Sequence, residues 1–231
     1  RKVGFNNINA DLIIGLPKQT IADVENSVNE LVNLKLEHIS VYSLILEEGT
    51  MLEELVRSGK LKLPEDKEER NMYWKVKNIL EKNGYNHYEI SNFAKHGSES
   101  KHNLDCWKQK EYVGFGVAAH SYTNGVRYSN IENIEEYIKN YEEGKEEDNF
   151  VFHEKQTHNM KVKEYMMLGL RKIEGVCIQE FKEKFAANPI FVFKTELEKL
   201  VNEELLEVNG DYIKLTNKGL DLANLVWEEF V

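Results

Sequence analysis

Apolar positions along the first ninety residues follow two alternating rhythms. Ala10-Asp11-Leu12-Ile13-Ile14-Gly15 is a short, mostly apolar run closed by Gly15-Leu16-Pro17, the pattern of a buried strand. Thr20 then opens a helix. In it Ile21, Val24, Val28, Leu31, Val32 and Leu34 recur at three- and four-residue steps, and Asp23 lies in the first turn, where a negative charge suits the helix dipole. Residues 38–44 read as a second strand, and the crossover before it is long enough to make the two strands parallel. A helix over 66–82 and a returning strand over 85–93 continue the alternation, with Gly84 between them as the helix stop. This alternation predicts an α/β barrel or open parallel sheet, of which the chain holds the later part.

From Glu111 the rhythm loosens. Gly-containing strands are predicted over 113–120 and 125–128, followed by a helix over 134–141. The acidic run 142–148 reads as a solvated loop and linker, so the expected division is a first domain over 1–149 and a second over 150–231. In the second, helices over 156–170, 178–185 and 190–202 precede two β-prone runs joined at Asn209-Gly210, a strong hairpin signal, and Thr216 caps a final helix. Three helices with a late hairpin make a winged-helix-like α+β domain.

Composition narrows the functions that such a chain can serve. Its 231 residues carry 40 Asp+Glu against 30 Lys+Arg, a formal charge of −10. Residues 151–231 hold 11 Lys+Arg and 14 Asp+Glu, so the winged domain lacks the basic footprint of a DNA reader and is expected to be a packing module. No apolar run approaches the ~18 residues of a membrane span, and no charged-then-apolar leader opens the chain, which predicts a cytoplasmic protein. The first residue is Arg1, followed within ten positions by an apolar strand, so the chain is expected to begin partway through a longer protein.

Several residues invite chemistry. Gly114-Phe-Gly116-Val-Ala-Ala119 has the spacing of a dinucleotide loop, but turn and strand residues follow it where that loop needs a helix. His96, His102 and Cys106 lie within eleven residues without an evident fourth ligand for zinc. His102 and Asn103 fall in a polar loop, His120 ends an apolar strand as a core histidine would, and His153 and His158 have no evident partner. Asp11 is a carboxylate inside an apolar strand, costly unless it is hydrogen-bonded or faces a polar cavity.

Four segments taken together resemble one family. They are Asn9-Ala-Asp11-Leu-Ile-Ile-Gly15-Leu-Pro17-Lys-Gln19-Thr20, Ile39 to Thr50, Tyr88-Glu-Ile-Ser-Asn92-Phe-Ala94 and Gly114 to Ser121. In order and spacing they are similar to the radical S-adenosylmethionine (SAM) proteins related to oxygen-independent coproporphyrinogen III oxidase. His102-Asn103-Leu-Asp-Cys106-Trp107 further resembles the HNxxYW signature of HemW-type haem chaperones, with Cys106 where that group has Tyr. The resemblance implies the C-terminal part of a partial TIM-type barrel followed by the winged domain. It implies SAM contacts at Asp11, Ile13 and Ile45, and haem binding at His102, Asn103 and Trp107. It also implies haem-accepting proteins as partners, with membrane contact only through an acceptor. The oxidase itself, and a non-catalytic interaction scaffold, are the alternative readings. The family holds a 4Fe-4S cluster on a CxxxCxxC motif. Cys106 and Cys177 cannot supply three thiolates, so this chain alone is expected to hold no cluster and to be inactive as a radical enzyme.

Overall fold

Leu12 and Ile14 of β1 (Asn9–Ile14) are buried, whereas Asp11 and Ile13 are exposed, so the strand presents one apolar and one open face. Over the apolar face lie α1 (Ile21–Asn33), which buries Val24 and Val28, and α3 (Asp66–Lys82), which buries Met72, Val76 and Leu80. Thr20 and Asp23 form a reciprocal capping box that ties off the first turn of α1. Between these helices the chain forms β2 (His38–Ser43), parallel to β1 from Asn9↔His38 to Ile14↔Ser43, and the short helix α2 (Met51–Arg57). Helix α2, whose first turn Thr50 caps by accepting from the Glu53 amide at 3.3 Å, is absent from the elements predicted above. Ile39, Val41 and Phe93 complete this core.

The single strand predicted over 85–93 is instead a hairpin, β3 (Asn86–Glu89) and β4 (Asn92–Ala94), turning at Ile90-Ser91. Strand β4 returns antiparallel beside β2, giving the mixed order β1-β2-β4-β3 rather than an all-parallel sheet. The reason is local, since a tight turn can only reverse the chain whereas a parallel return needs a long crossover.

The computed structural model describes residues 1–231, which fall into two units, 1–100 with 172–174 and 101–171 with 175–231. The segment 172–174 is tied to the first unit by the Glu89↔Lys172 bridge and by the Ile173 amide donating to the Tyr88 carbonyl at 3.1 Å.

The second unit opens with α4 (Lys101–Trp107), a helix where the sequence suggested a polar loop. No strand spans 113–120, because Gly116 and Ala118 adopt positive φ of 96° and 58° and break the extended run. The strands here are β5 (His120–Thr123) and β6 (Val126–Asn130), followed by α5 (Ile134–Glu142). The acidic run is not a free linker. A 3₁₀ turn over Glu146–Asn149 buries Asn149, which accepts from Asn140 at 2.9 Å, and β7 (Phe150–Lys155) then pairs with β6. Position 149/150 therefore falls within the second unit.

Beyond it α6 (His158–Gly169), β8 (Val176–Cys177), α7 (Ile178–Phe185), the one-turn α8 (Pro189–Val192) and α9 (Lys194–Asn202) lead into the hairpin of β9 (Leu206–Asn209) and β10 (Tyr212–Leu215). The sheet order β8-β10-β9 beside these helices is the winged-helix arrangement that the sequence predicts. Its core is aromatic, with Tyr165, Phe181, Phe193 and Phe230 buried edge to face. The final helix is two short pieces, α10 (Asn217–Asp221), capped by Thr216, and α11 (Ala223–Glu228).

Candidate functional site

In the first unit the uncovered sheet face carries the residues of interest. Asp11 is exposed, which corrects the picture of a carboxylate buried in an apolar strand, and its Oδ1 accepts from Asn9 Nδ2 at 2.7 Å. Ile13, 44% exposed, lies two residues on along the same face. Parallel register places Ser40 beside Asp11 and the half-exposed Tyr42 beside Ile13. Ile45, just beyond β2, is 74% exposed.

Deeper on this face is a polar group that sequence reasoning missed. His38 is buried, with Nδ1 2.7 Å from Asn9 Oδ1 and Nε2 2.8 Å from the Tyr88 hydroxyl. The Ser40 hydroxyl donates to Asn9 Oδ1 at 3.3 Å, and the Ser100 amide donates to the Tyr88 oxygen at 3.2 Å. Burial holds the His38 imidazole below its ordinary pKa, against the opposing pull of Asp11 and Glu99, and pushes the Tyr88 phenol up to about 12. The only signal available in the sequence was a histidine and a tyrosine in strand segments.

In the second unit the HNxxCW segment is α4. Helical spacing puts His102 and Cys106 one turn apart, with Cys106 Sγ 3.7 Å from His102 Nε2. His102 is exposed and meets the Tyr112 ring edge-on, while Asn103 is partly buried. Burial, and secondarily Asp105, pushes the Cys106 thiol up, which disfavours the thiolate. Trp107 is committed to packing, because the Arg171 guanidinium lies 4.4 Å from its ring centre and 4.7 Å from that of Trp227.

His120 is not a core histidine. It is exposed at the start of β5, stacked on His153 at 5.3 Å, and His153 Nε2 lies 2.9 Å from Ser129 Oγ. His96 is exposed in the first unit, and His158 meets Phe185 edge-on. No group of three or more His, Cys, Asp or Glu side chains is arranged to hold a metal ion. The two cysteines are free and do not fit the donor set of a 4Fe-4S cluster.

Residues 156–222 match the family model of the HemN C-terminal domain. The chain is 40% identical over 231 residues to the haem chaperone HemW of Lactococcus lactis subsp. lactis, covering all of this chain and 60% of that protein. It is 39% identical over 235 residues to HemW of Bacillus subtilis, again covering all of the chain and 60% of the relative. A mitochondrial radical S-adenosyl methionine domain-containing protein 1 of Danio rerio is 38% identical over 120 residues, 52% of this chain and 27% of that one. Among solved structures, coproporphyrinogen III oxidase (HemN) of Escherichia coli, described as a radical SAM enzyme, matches with a TM-score of 0.76 at 19% identity. That match covers 99% of this chain and 56% of the oxidase. The likeness to the oxidase is one of fold, and the chain spans about 60% of the HemW relatives that it matches.

Proposed function

From a chain that is HemW-like along its whole length, we propose the C-terminal part of a radical SAM haem chaperone, one that binds haem and passes it to acceptor proteins. The full-length similarity to two proteins named as haem chaperones carries this reading. In it the exposed imidazole of His102 is the axial ligand to haem iron, since imidazole is a common protein ligand of haem. Asn103 lies beside it on α4, and Trp107 lends the porphyrin whatever ring surface Arg171 leaves free. The raised Cys106 thiol makes it the weaker ligand of the pair. Asp11, Ile13 and Ile45 are the SAM contacts of the intact protein; the exposure of Asp11 and Ile13 on one face of β1, and of Ile45 just beyond β2, supports that use. When bound, SAM and a 4Fe-4S cluster supply radical chemistry. The thiolates for that cluster are not among these residues.

The reading places the protein in the cytoplasm, reaching membranes only through an acceptor, and gives the winged-helix-like part of the second unit, from α6 onward, a packing role without DNA binding. It is tested by titrating haem into the chain and into His102→Ala, Cys106→Tyr and His120→Ala, following the Soret band. We expect His102→Ala to weaken binding at least about tenfold, the usual effect of losing an interaction of about 1.4 kcal/mol. Cys106→Tyr and His120→Ala should bind nearly as the parent does. Unchanged affinity and spectrum in His102→Ala would overturn the ligand assignment, and a parent chain that binds no haem would overturn the chaperone reading for this part of the protein.

A further inference from the structure

The hydrogen bonds on the open face of the first unit admit only one direction of donation. An ionised carboxylate only accepts, so the atom of Asn9 facing Asp11 Oδ1 is Nδ2, and Oδ1 of the same amide faces the other way. That oxygen lies 2.7 Å from His38 Nδ1 and already accepts from Ser40, so it accepts again and the proton sits on Nδ1. His38 Nε2 is then bare and takes the hydrogen of the Tyr88 hydroxyl, whose oxygen is left to accept from the Ser100 amide. Each donor meets an acceptor when the imidazole is neutral. Burial of His38 favours that same state.

We infer that Asn9, His38 and Tyr88 are positioning residues forming an oriented relay that fixes the Asp11 carboxylate as a hydrogen-bond acceptor toward a donor-bearing ligand on the open sheet face. The relay deepens the reading of Asp11 as a SAM contact, because a ligand hydroxyl or ammonium group needs a carboxylate whose remaining lone pairs are already aimed. Only β1 and β2 provide the near end. Asn9 and Asp11 share a face of one strand, and His38 is the register partner of Asn9 on the next. Tyr88 on β3 closes the far end, where burial keeps its phenol protonated and able to donate. The charged groups acting on His38 are Asp11 and Glu99, both of which favour its protonated form.

The test reads the His38 tautomer by ¹⁵N NMR of the chain near pH 7.5. Wild type should show one tautomer, protonated at Nδ1. In Asp11→Leu the Asn9 amide loses the partner that orients it and can flip, so the tautomers should mix, and Asn9→Leu should mix them too. Merely structural packing of His38 would not couple its tautomer to a carboxylate on another strand. An Nε2–H tautomer in wild type, or an unchanged tautomer in Asp11→Leu, overturns the relay. Binding of SAM itself, by calorimetry on the same chain, tests the ligand separately. His38→Phe should weaken it several-fold and Asp11→Leu more. Binding that is lost in Asp11→Leu but unchanged in His38→Phe counts against the relay and leaves the Asp11 reading standing. Binding unchanged in Asp11→Leu, or absent in wild type, overturns the Asp11 reading, while the tautomer decides the relay.

Discussion

His87 illustrates what a buried imidazole costs when it has to titrate. It stacks on Phe93 at 4.4 Å, its Nε2 lies 3.2 Å from the Ile90 carbonyl, and its Nδ1 is buried without a partner. A proton added at Nδ1 would have no acceptor, and burial accordingly lowers its pKa from 6.5 to about 4. The folded value lies below the unfolded one, so between those values the unfolded chain binds more protons. Stability is then complete above pH 6.5 and is lost as pH falls toward about 4. The loss attributable to this residue is at most about 3 kcal/mol. Urea denaturation of wild type and His87→Phe at pH 7, 5.5 and 4.5 checks this: the parent should lose more stability than the variant as pH falls, and parallel losses would refute it. The same scale corrects two sequence readings. Asp11 and His120 are both exposed, where an apolar strand setting suggested burial.

At the scale of elements, the wing sheet separates two glycines of similar backbone but different surroundings. Gly210 turns the β9–β10 hairpin at φ +61°, and a Cβ there would meet nothing within 4 Å. Gly175, before β8, has φ +86°, and a Cβ there would lie 2.2 Å from the Ile213 carbonyl oxygen. Gly210→Ala should therefore cost only the left-handed penalty, about 1–2 kcal/mol. Gly175→Ala adds a backbone clash and should cost visibly more, about 3 kcal/mol or above. Equal shifts in denaturation midpoint would sink the distinction. Two other elements depart from their sequence signals. Helix α4 forms from a segment whose polar side chains suggest a loop, with Trp107 at its end packed against Arg171, and β3–β4 folds as a hairpin because of a turn that no Gly-Asn pair announces.

For the whole molecule, the ligand inventory is a matter of counting. With two free cysteines and no cluster of three candidate metal ligands, anaerobic iron and sulfide reconstitution of this chain should leave well under one iron per chain. About four irons per chain, the content of a 4Fe-4S cluster, would refute that. The sequence by itself determined such counts, the chain's acidity, the helices α1, α3 and α5, and the wing hairpin, whose turn falls at Gly210-Asp211, one residue beyond the expected Asn209-Gly210, because each rests on composition or on neighbours within a few residues. Alternation, a property of any strand, puts Asp11 and Ile13 on one face of β1, but the mostly apolar run read as a strand buried throughout. Which face would stay open was decided only when α1 and α3 covered Leu12 and Ile14. The oriented group of Asn9, His38 and Tyr88 joins positions 29 and 50 residues apart. Local periodicity carries no information about partners that distant, so only strand pairing and the return of the chain through β3 bring them together.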